Sequence, residues 1–301
     1  MDVRLVEQFV TIAAELNVTR AAERLMVSQS TVSAGLRRFE RELGVTLFVR
    51  TTRSMTLTPA GERLLPAAEA LLASAAHLHD LASESTGRLR GRVRLGTFAA
   101  LDLLDLPGVV ASFRGRHPQV DLALTASPRG STGLEEDLRR GRVDLAFLAL
   151  PDQPSDLTVE PLLSSPFVAL VPGDHRLAGR SRVGLDELAD ESWVDTAAGF
   201  GNRVLLDRHL AGRGLTRRLV VETGDLPSVT GFVAAGVGVA VVPAVALLPA
   251  GSDGCVVVPL ADGPPDWRIG LGRRRGVVLS RAARALVADL QAAAAASAAA
   301  C

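Results

Sequence analysis

The chain has no tyrosine and no lysine, so all 33 of its basic residues are arginine. Alanine, glycine and valine are abundant. Together these biases read as GC-rich codon usage, and arginine content alone carries no functional argument. An excess of either charge is missing too: 33 acids balance the 33 arginines, which excludes a bulk polyanion binder. The two cysteines, Cys255 and Cys301, stand in no metal or redox spacing. Cys255 opens the apolar run CVVVPL and reads as a buried strand residue, whereas a redox sensor needs an exposed, activated thiolate. No uninterrupted apolar run reaches membrane-spanning length, and none follows a basic start. Neither a membrane partner nor a secretory leader is expected, and the expected localisation is cytoplasmic. Enzyme signatures are also missing: no nucleophile elbow, no His-x-x-x-His, no Walker motif, no carboxylate pair at a catalytic spacing. His77, His79, His117, His175 and His209 are scattered, and the first two lie two apart on one helix, on different faces. No catalytic residue, metal or cofactor is expected.

What is present begins near the N-terminus. Leu5, Phe9, Ile12 and Leu16 stand at helical spacing and predict an amphipathic helix. Ala21, Ala22 and Leu25 predict a short second helix whose small side chains allow close packing. Ser28 suits an N-cap. Beyond it Val32, Leu36, Phe39 and Leu43 repeat at intervals of four, three and four, the buried stripe of a third helix. The opposite face carries Gln29, Ser30, Ser33, Ala34 and Arg37, with Ser28 and Thr31 at its start. Glutamine pairs with adenine in the major groove, serine bonds bases or phosphates, and alanine touches a thymine methyl. A helix-turn-helix presents this end of its second helix to base edges. After Gly44, LFVRTTRSMTLT predicts two short strands around a polar tip. There Arg50, Thr51 and Arg53 would form a wing that grips a phosphate backbone or probes the minor groove. A solvated face of a plain helical bundle is the bland alternative. Helix, turn, helix and wing in this order favour double-stranded DNA. Residues 1–60 hold eight arginines against six acids, a balance of only +2, so operator affinity calls for dimers or tetramers.

The first ninety residues resemble the LysR-type transcriptional regulators. The matching residues are Phe9, Ala21-Ala22-x-x-Leu25, Ser28-Gln29-Ser30-x-Val32-Ser33, Phe39-Glu40, Leu43-Gly44, Leu47-Phe48-x-Arg50 and Leu57-Thr58-x-Ala60-Gly61. The rest of the chain is similar to that family's effector domain in Phe113-x-x-x-His117-Pro118-x-Val120, Gly141-x-Val143-Asp144-Leu145-Ala146 and Ala235-Gly236-x-Gly238-x-Ala240-x-Val242-Pro243. The resemblance implies DNA contacts from Gln29, Ser30, Ser33, Arg37, Arg50 and Arg53. The chain departs from the family at Ala34 and Gly35, where many members carry a large polar or basic residue. Direct readout at that turn is therefore expected to be thin. The family often has a hydroxyl residue where Ala99 and Ala100 stand, which implies a more apolar ligand.

Between the two parts, Thr58 and Pro59 open a helix in which Leu64, Ala68, Leu71, Ala75, Leu78 and Ala82 form a heptad stripe, widened by Leu65 and Leu72. Pairing with its own copy is the expected use of that stripe; packing on its own domain is the alternative. From Arg92 onward, short apolar strands alternate with helices, the sign of parallel sheets with crossovers. A second unit starts near Pro161 and includes a helix at GLDELAD; Trp267–Arg275 and the last helix return to the first. Two α/β lobes joined by two crossovers make a hinged cleft. Ligands in such folds sit beyond strand carboxyl ends, near helix starts. That rule selects Thr97, Phe98 and Ala99, then Thr125 and Ser127, then Thr196, Gly199, Asn202 and Arg203, and finally Gly224. Arg203 would pair with a carboxylate or phosphate, or be a surface arginine. Gly236-x-Gly238 lies between a helix and a strand, the reverse of a dinucleotide fingerprint, and reads as a helix end.

The expected fold is an N-terminal all-α winged helix-turn-helix with a long linker helix, followed by an α/β two-lobed effector domain like periplasmic binding proteins. The expected boundaries are 1–58, 59–90 and 91–301. Lobe I spans about 91–160 and 266–301, and lobe II about 161–265. The expected function is an oligomeric, promoter-binding regulator that answers to a small-molecule effector. A cytosolic small-molecule-binding protein, or an enzyme using the cleft, with an N-terminal domain that only dimerises, is the alternative.

Overall fold

The computed structural model describes residues 2–50, 55–83, 89–98, 105–149, 152, 154–247 and 254–300. Its first helices are α1 (Val3–Glu15), α2 (Val18–Leu25) and α3 (Gln29–Leu43). Each starts on a side-chain cap: Asp2, Asn17 and Ser28 accept from the first turns of their helices. Gly44 ends α3 at φ 69°, a left-handed conformation that glycine adopts without strain. The predicted stripe is the core. Phe9, Phe39 and Phe48 meet at its centre, with ring centroids 5.8 and 5.7 Å apart, and Ile12, Val32 and Leu36 pack around them. Strands β1 (Phe48–Arg50) and β2 (Met55–Leu57) pair antiparallel as the wing; its tip, with Thr51 and Arg53, lies outside the described residues.

Helix α4 (Pro59–Ser83) follows without a break. The Thr58 hydroxyl accepts from Gly61 N at 3.0 Å and donates to Thr46 O at 2.7 Å, which ties the helix start to the wing. Leu64, Leu65, Ala68, Leu71 and Leu72 pack against the α1–α3 core. The first half of the heptad stripe is thus used within its own domain, and further along Leu78 is 67 % exposed.

The second part opens with β3 (Gly91–Thr97), α5 (Leu106–Arg116), β4 (Val120–Ala126), α6 (Gly130–Arg139), β5 (Leu145–Leu148) and β6 (Leu157–Ser165). The other lobe holds β7 (Phe167–Pro172), β8 (Ser192–Thr196), α7 (Gly201–Gly212), β9 (Arg218–Thr223), α8 (Leu226–Ala234), β10 (Ala240–Pro243) and β11 (Cys255–Pro259). The chain then returns through β12 (Trp267–Arg274) and α9 (Arg281–Ala300). The lobe I sheet has the order β4-β3-β5-β12-β6; β3, β4 and β5 run parallel and the returning β12 is antiparallel to both neighbours. Three features differ from the sequence expectation. β6 stays paired with β12 as far as Ser165↔Trp267, so the crossing falls at Pro166 and not near Pro161. Lobe II is mixed, since β10-β7-β11 is antiparallel and β8-β9 is parallel. GLDELAD makes only a 3-10 turn, Asp186–Leu188. Its short apolar register is satisfied by burying Leu185 and Leu188, which leaves nothing to extend a helix. Gly236 follows α8 at φ 75°, as a helix end should.

Candidate functional site

Two places collect the chemistry. The first is the outer face of α3. Gln29, Ser30, Thr31, Ala34 and Arg37 are exposed, Ser33 is half-buried, and Val32, Leu36 and Phe39 are buried. Ser28 Oγ accepts from Thr31 N at 3.2 Å and lies 2.8 Å from the hydroxyls of both Ser30 and Thr31. The helix start is therefore a knot of small hydroxyls, with the positive end of the dipole facing out. Gly35 belongs to the other side. It is buried, and a Cβ there would fall 1.7 Å from Gln8 Oε1 on α1. Its small size serves helix packing and takes nothing from the exposed face. Arg38 is paired with Glu42 at 3.1 Å, whereas Arg37 has no acidic partner among the described residues. Arg50 ends β1 and carries the strand toward the wing tip.

The second place is the junction between lobes. Glycines bring the backbones together there. The Gly199 carbonyl accepts from Thr132 N at 3.2 Å and Thr132 Oγ1 at 3.1 Å, joining lobe II to the start of α6. A Cβ on Gly201 would stand 1.8 Å from the Ala149 carbonyl oxygen, and one on Gly130 2.8 Å from Phe200 Cα. Between these contacts lies a cavity of about 10 Å³, lined by Phe98, Ser131, Phe200, Gly201, Asn202, Leu226 and Trp267.

Of the residues expected here, Phe98 and Asn202 line the cavity and Gly199 closes its edge. Thr97, half-buried, donates to Phe98 O at 3.0 Å. Ser127 is buried, and its Oγ accepts from Arg129 N at 3.3 Å in the turn before α6. Thr196 is buried and accepts from Asn202 Nδ2 at 3.0 Å. Thr125 and Gly224 are exposed and outside the lining. Ala99 lies outside the described residues. Ser131, Phe200, Leu226 and Trp267 were not anticipated. The start of α6 was the available signal for Ser131, because ligands favour helix starts as well as strand ends.

Arg203 is buried and not a surface arginine. Its guanidinium donates to Thr196 O at 2.8 Å and Asp207 at 2.8 Å and reaches Glu222 at 3.4 Å. Buried Asp195 lies 3.9 Å away and is paired with Arg217 at 2.7 Å, and Arg217 stacks over Trp193 at 5.2 Å. Burial pushes the Asp195 carboxyl above its ordinary range, against the pull of Arg217, the Thr196 N–H and Arg203. The Arg203 guanidinium is held above its ordinary value: burial opposes this, but Asp207, Asp195 and Glu222 outweigh it. This cluster ties β8, α7 and β9 together and engages Arg203 Nε and Nη1. Cys255 is half-buried; burial raises its thiol pKa, and its Sγ lies 3.5 Å from Thr230 O, the reverse of an activated thiolate. Among the described residues no His, Cys, Asp and Glu group is placed to hold a metal, and no helix is long and apolar enough to cross a membrane.

Comparison with known proteins covers both places. Residues 3–62 match the bacterial regulatory helix-turn-helix protein family of lysR type, and residues 86–295 match the LysR substrate binding domain. The HTH-type transcriptional regulator ShiR of Corynebacterium glutamicum is 35% identical over 245 residues, 80% of this chain and 82% of that protein. The uncharacterized regulator YfeR of Shigella flexneri is 35% identical over 285 residues, 92% of this chain and 89% of that one. Among solved structures, a full-length single-substitution variant of OxyR from Pseudomonas aeruginosa is 27% identical with a TM-score of 0.73, covering 98% of this chain and 94% of that one.

Proposed function

The chain belongs to the LysR family of transcriptional regulators, with a helix-turn-helix DNA-binding domain and an effector-binding domain, and we propose that it reads promoter DNA as an oligomer in the cytoplasm. The reading surface is the exposed face of α3: Ser28, Gln29, Ser30, Thr31, Ser33, Ala34 and Arg37, flanked by the wing with Arg50, Thr51 and Arg53. One observation carries this. α3 packs its apolar stripe against α1 and the wing, yet leaves a polar, small-residue face at its start that no other element covers among the described residues. Such a face fits a major groove in shape and in donors.

The effector site is the cleft between the lobes, which in this arrangement is closed down to a cavity of about 10 Å³, so a ligand larger than water enters as the lobes part. Phe98, Asn202 and Gly199 belong to it, with Thr97, Ser127 and Thr196 supporting it from behind. A ligand that favours one lobe arrangement shifts the population of subunit arrangements and hence the spacing of the α3 faces on DNA. The outer part of α4, where Leu78 is exposed, supplies the pairing surface for a dimer, and tetramers follow from further contacts between effector domains. Because the relatives are regulators by name, the cleft is read as a sensor and not as a reaction centre.

Footprinting of the full-length protein on the DNA flanking its own gene, at stated salt and with competitor DNA, tests the reading. A protected site with half-sites spaced by whole helical turns is expected. A Gln29→Ala, Ser33→Ala double variant is expected to lose that protection while keeping its fold; retained protection overturns the assignment of α3.

A further inference from the structure

Two cavities lie at opposite ends of lobe I. Phe98, just past β3, and Trp267, at the start of β12, line the cavity between the lobes. At the other ends of the same strands, Arg92, Arg94, Arg273 and Arg274 line a second cavity, where lobe I meets the DNA-binding domain. This one measures about 390 Å³, a size that holds a small molecule, and such sites favour domain boundaries.

Its walls are largely aliphatic. On α1, Glu7, Val10, Thr11 and Ala14 stand at i, i+3, i+4 and i+7, so one face of the helix is turned to the cavity. Leu25 and Leu72 continue that side, and Val277, Leu279 and Ala283 form the opposite one. A junction that only fixed the two domains would close these side chains on one another, as protein interiors do.

The charges in the lining fall into two groups. Arg24, Arg94 and Arg274 are committed and hold the walls apart. Arg24 donates to Glu15 and to the Gly141 carbonyl, both at 2.9 Å; Arg94 donates to Asp144 and to the same carbonyl; Arg274 is paired with Glu69. Arg92 and Arg273 are held loosely. Arg92 lies 3.3 Å from Asp121 and Arg273 3.7 Å from Glu160, both longer than a charge-assisted hydrogen bond, and all four side chains are at least 30% exposed. Pairs of this kind contribute little, so both guanidinium groups are free to turn to an incoming oxyanion. Glu7, exposed on the α1 side, has no basic partner among the described residues. The DNA-binding domain thus offers a spare carboxylate, lobe I offers two available guanidinium groups, and aliphatic wall lies between them.

We propose that this cavity binds an α-amino acid with an aliphatic side chain. Its ammonium group pairs with Glu7, its carboxylate with Arg92 and Arg273, and its side chain lies against Val10, Leu25 and Val277. Bound there, it bridges the DNA-binding domain and lobe I and fixes their arrangement. The site is separate from the cleft between the lobes and does not depend on the reading of that cleft as the effector site.

L-leucine is the probe, titrated into the full-length protein by calorimetry beside its two halves, 3-methylbutylamine without the carboxylate and 4-methylpentanoate without the ammonium group. Saturable binding of leucine is expected, on the order of ten-fold or more tighter than either half. Glu7→Gln is expected to weaken leucine by on the order of ten-fold and to leave 4-methylpentanoate unchanged. Arg92→Gln combined with Arg273→Gln is expected to weaken leucine and 4-methylpentanoate and to leave the amine unchanged. No saturable leucine binding, a half that binds as tightly as the whole, or leucine affinity unchanged in both variants overturns the proposal; the last result places leucine elsewhere on the chain. If the double arginine variant does not fold, Glu7→Gln, on an exposed face, decides alone. None of these results bears on the cleft between the lobes, whose reading falls if no small molecule alters the operator footprint.

Discussion

Arg37 and Arg38 are neighbours on α3 with different surroundings, and the difference sets what each can do. Arg38 is held by Glu42, while Arg37 points outward with no acid beside it among the described residues. Arg37→Ala is therefore expected to weaken specific and non-specific DNA binding alike and to lower the slope of log affinity against log salt by about 1. Anisotropy titrations between about 50 and 200 mM salt read both effects. Asp195 presents the opposite case. It is 2 % exposed and faces Arg217 and Arg203, so Asp195→Ala removes the buried member of their ion-pair cluster and leaves both guanidinium groups to the half-exposed Asp207, with Glu222 beside Arg203; it is expected to cost about 3 kcal/mol in urea unfolding. Asp152, paired with Arg208 on the surface, is the control, and its removal should cost about 1 kcal/mol or less. The fate of Arg203 was not legible in the sequence, because Asp195 and Glu222 reach it from two different strands. Trp267 was no more legible: it starts a strand of lobe I, and only the closed lobes place it beside Phe200.

At the level of elements, periodicity did most of the work. The four-three-four stripe of α3 and the helical spacing of α1 specify which faces are buried, and the structure buries Phe9, Ile12, Val32, Leu36 and Phe39 together. A repeat fixes a face but not its partner. The α4 stripe shows this: Leu64 to Leu72 pack on the DNA-binding core, while Leu78 stands 67 % exposed. Gly35 illustrates the same limit, since only the approach of Gln8 explains why a helix interior accepts glycine. If the outer part of α4 pairs with a second copy, a charge there separates the subunits without harming either. Leu78→Glu is expected to shift the protein toward monomer at micromolar concentration in analytical ultracentrifugation, with an unchanged circular dichroism spectrum. An unchanged sedimentation coefficient assigns the dimer contact elsewhere.

Across the whole molecule, the two domains touch through few but specific groups. Arg24, at the end of α2, pairs with Glu15 at 2.9 Å and also donates to the Gly141 carbonyl at 2.9 Å, 117 residues away in lobe I. Arg94 donates to that same carbonyl at 2.8 Å. From α4, Glu69 is ion-paired with Arg274 of β12, the strand that returns from lobe II. A cavity of about 390 Å³ lies between these contacts, so the domains meet at points and not over a packed face. No sequence pattern forecasts such contacts, because each joins residues that are ordinary within their own element. They attach the helix before α3, and the linker helix, to a lobe that borders the proposed effector site. Coupling of the two sites requires that each ligand favour a different arrangement of a shared element, and these contacts are the shared element within one chain. Arg24→Ala combined with Glu69→Gln leaves α3, the wing and the interlobe cavity untouched. The double variant is expected to bind operator DNA with near-natural affinity in the absence of effector, yet to lose most of the effector-dependent change in that affinity. Anisotropy titrations with and without a molecule that alters the natural footprint measure both quantities. A full effector response in the double variant would place the coupling between subunits, through α4 and its partner copy, and not within the chain.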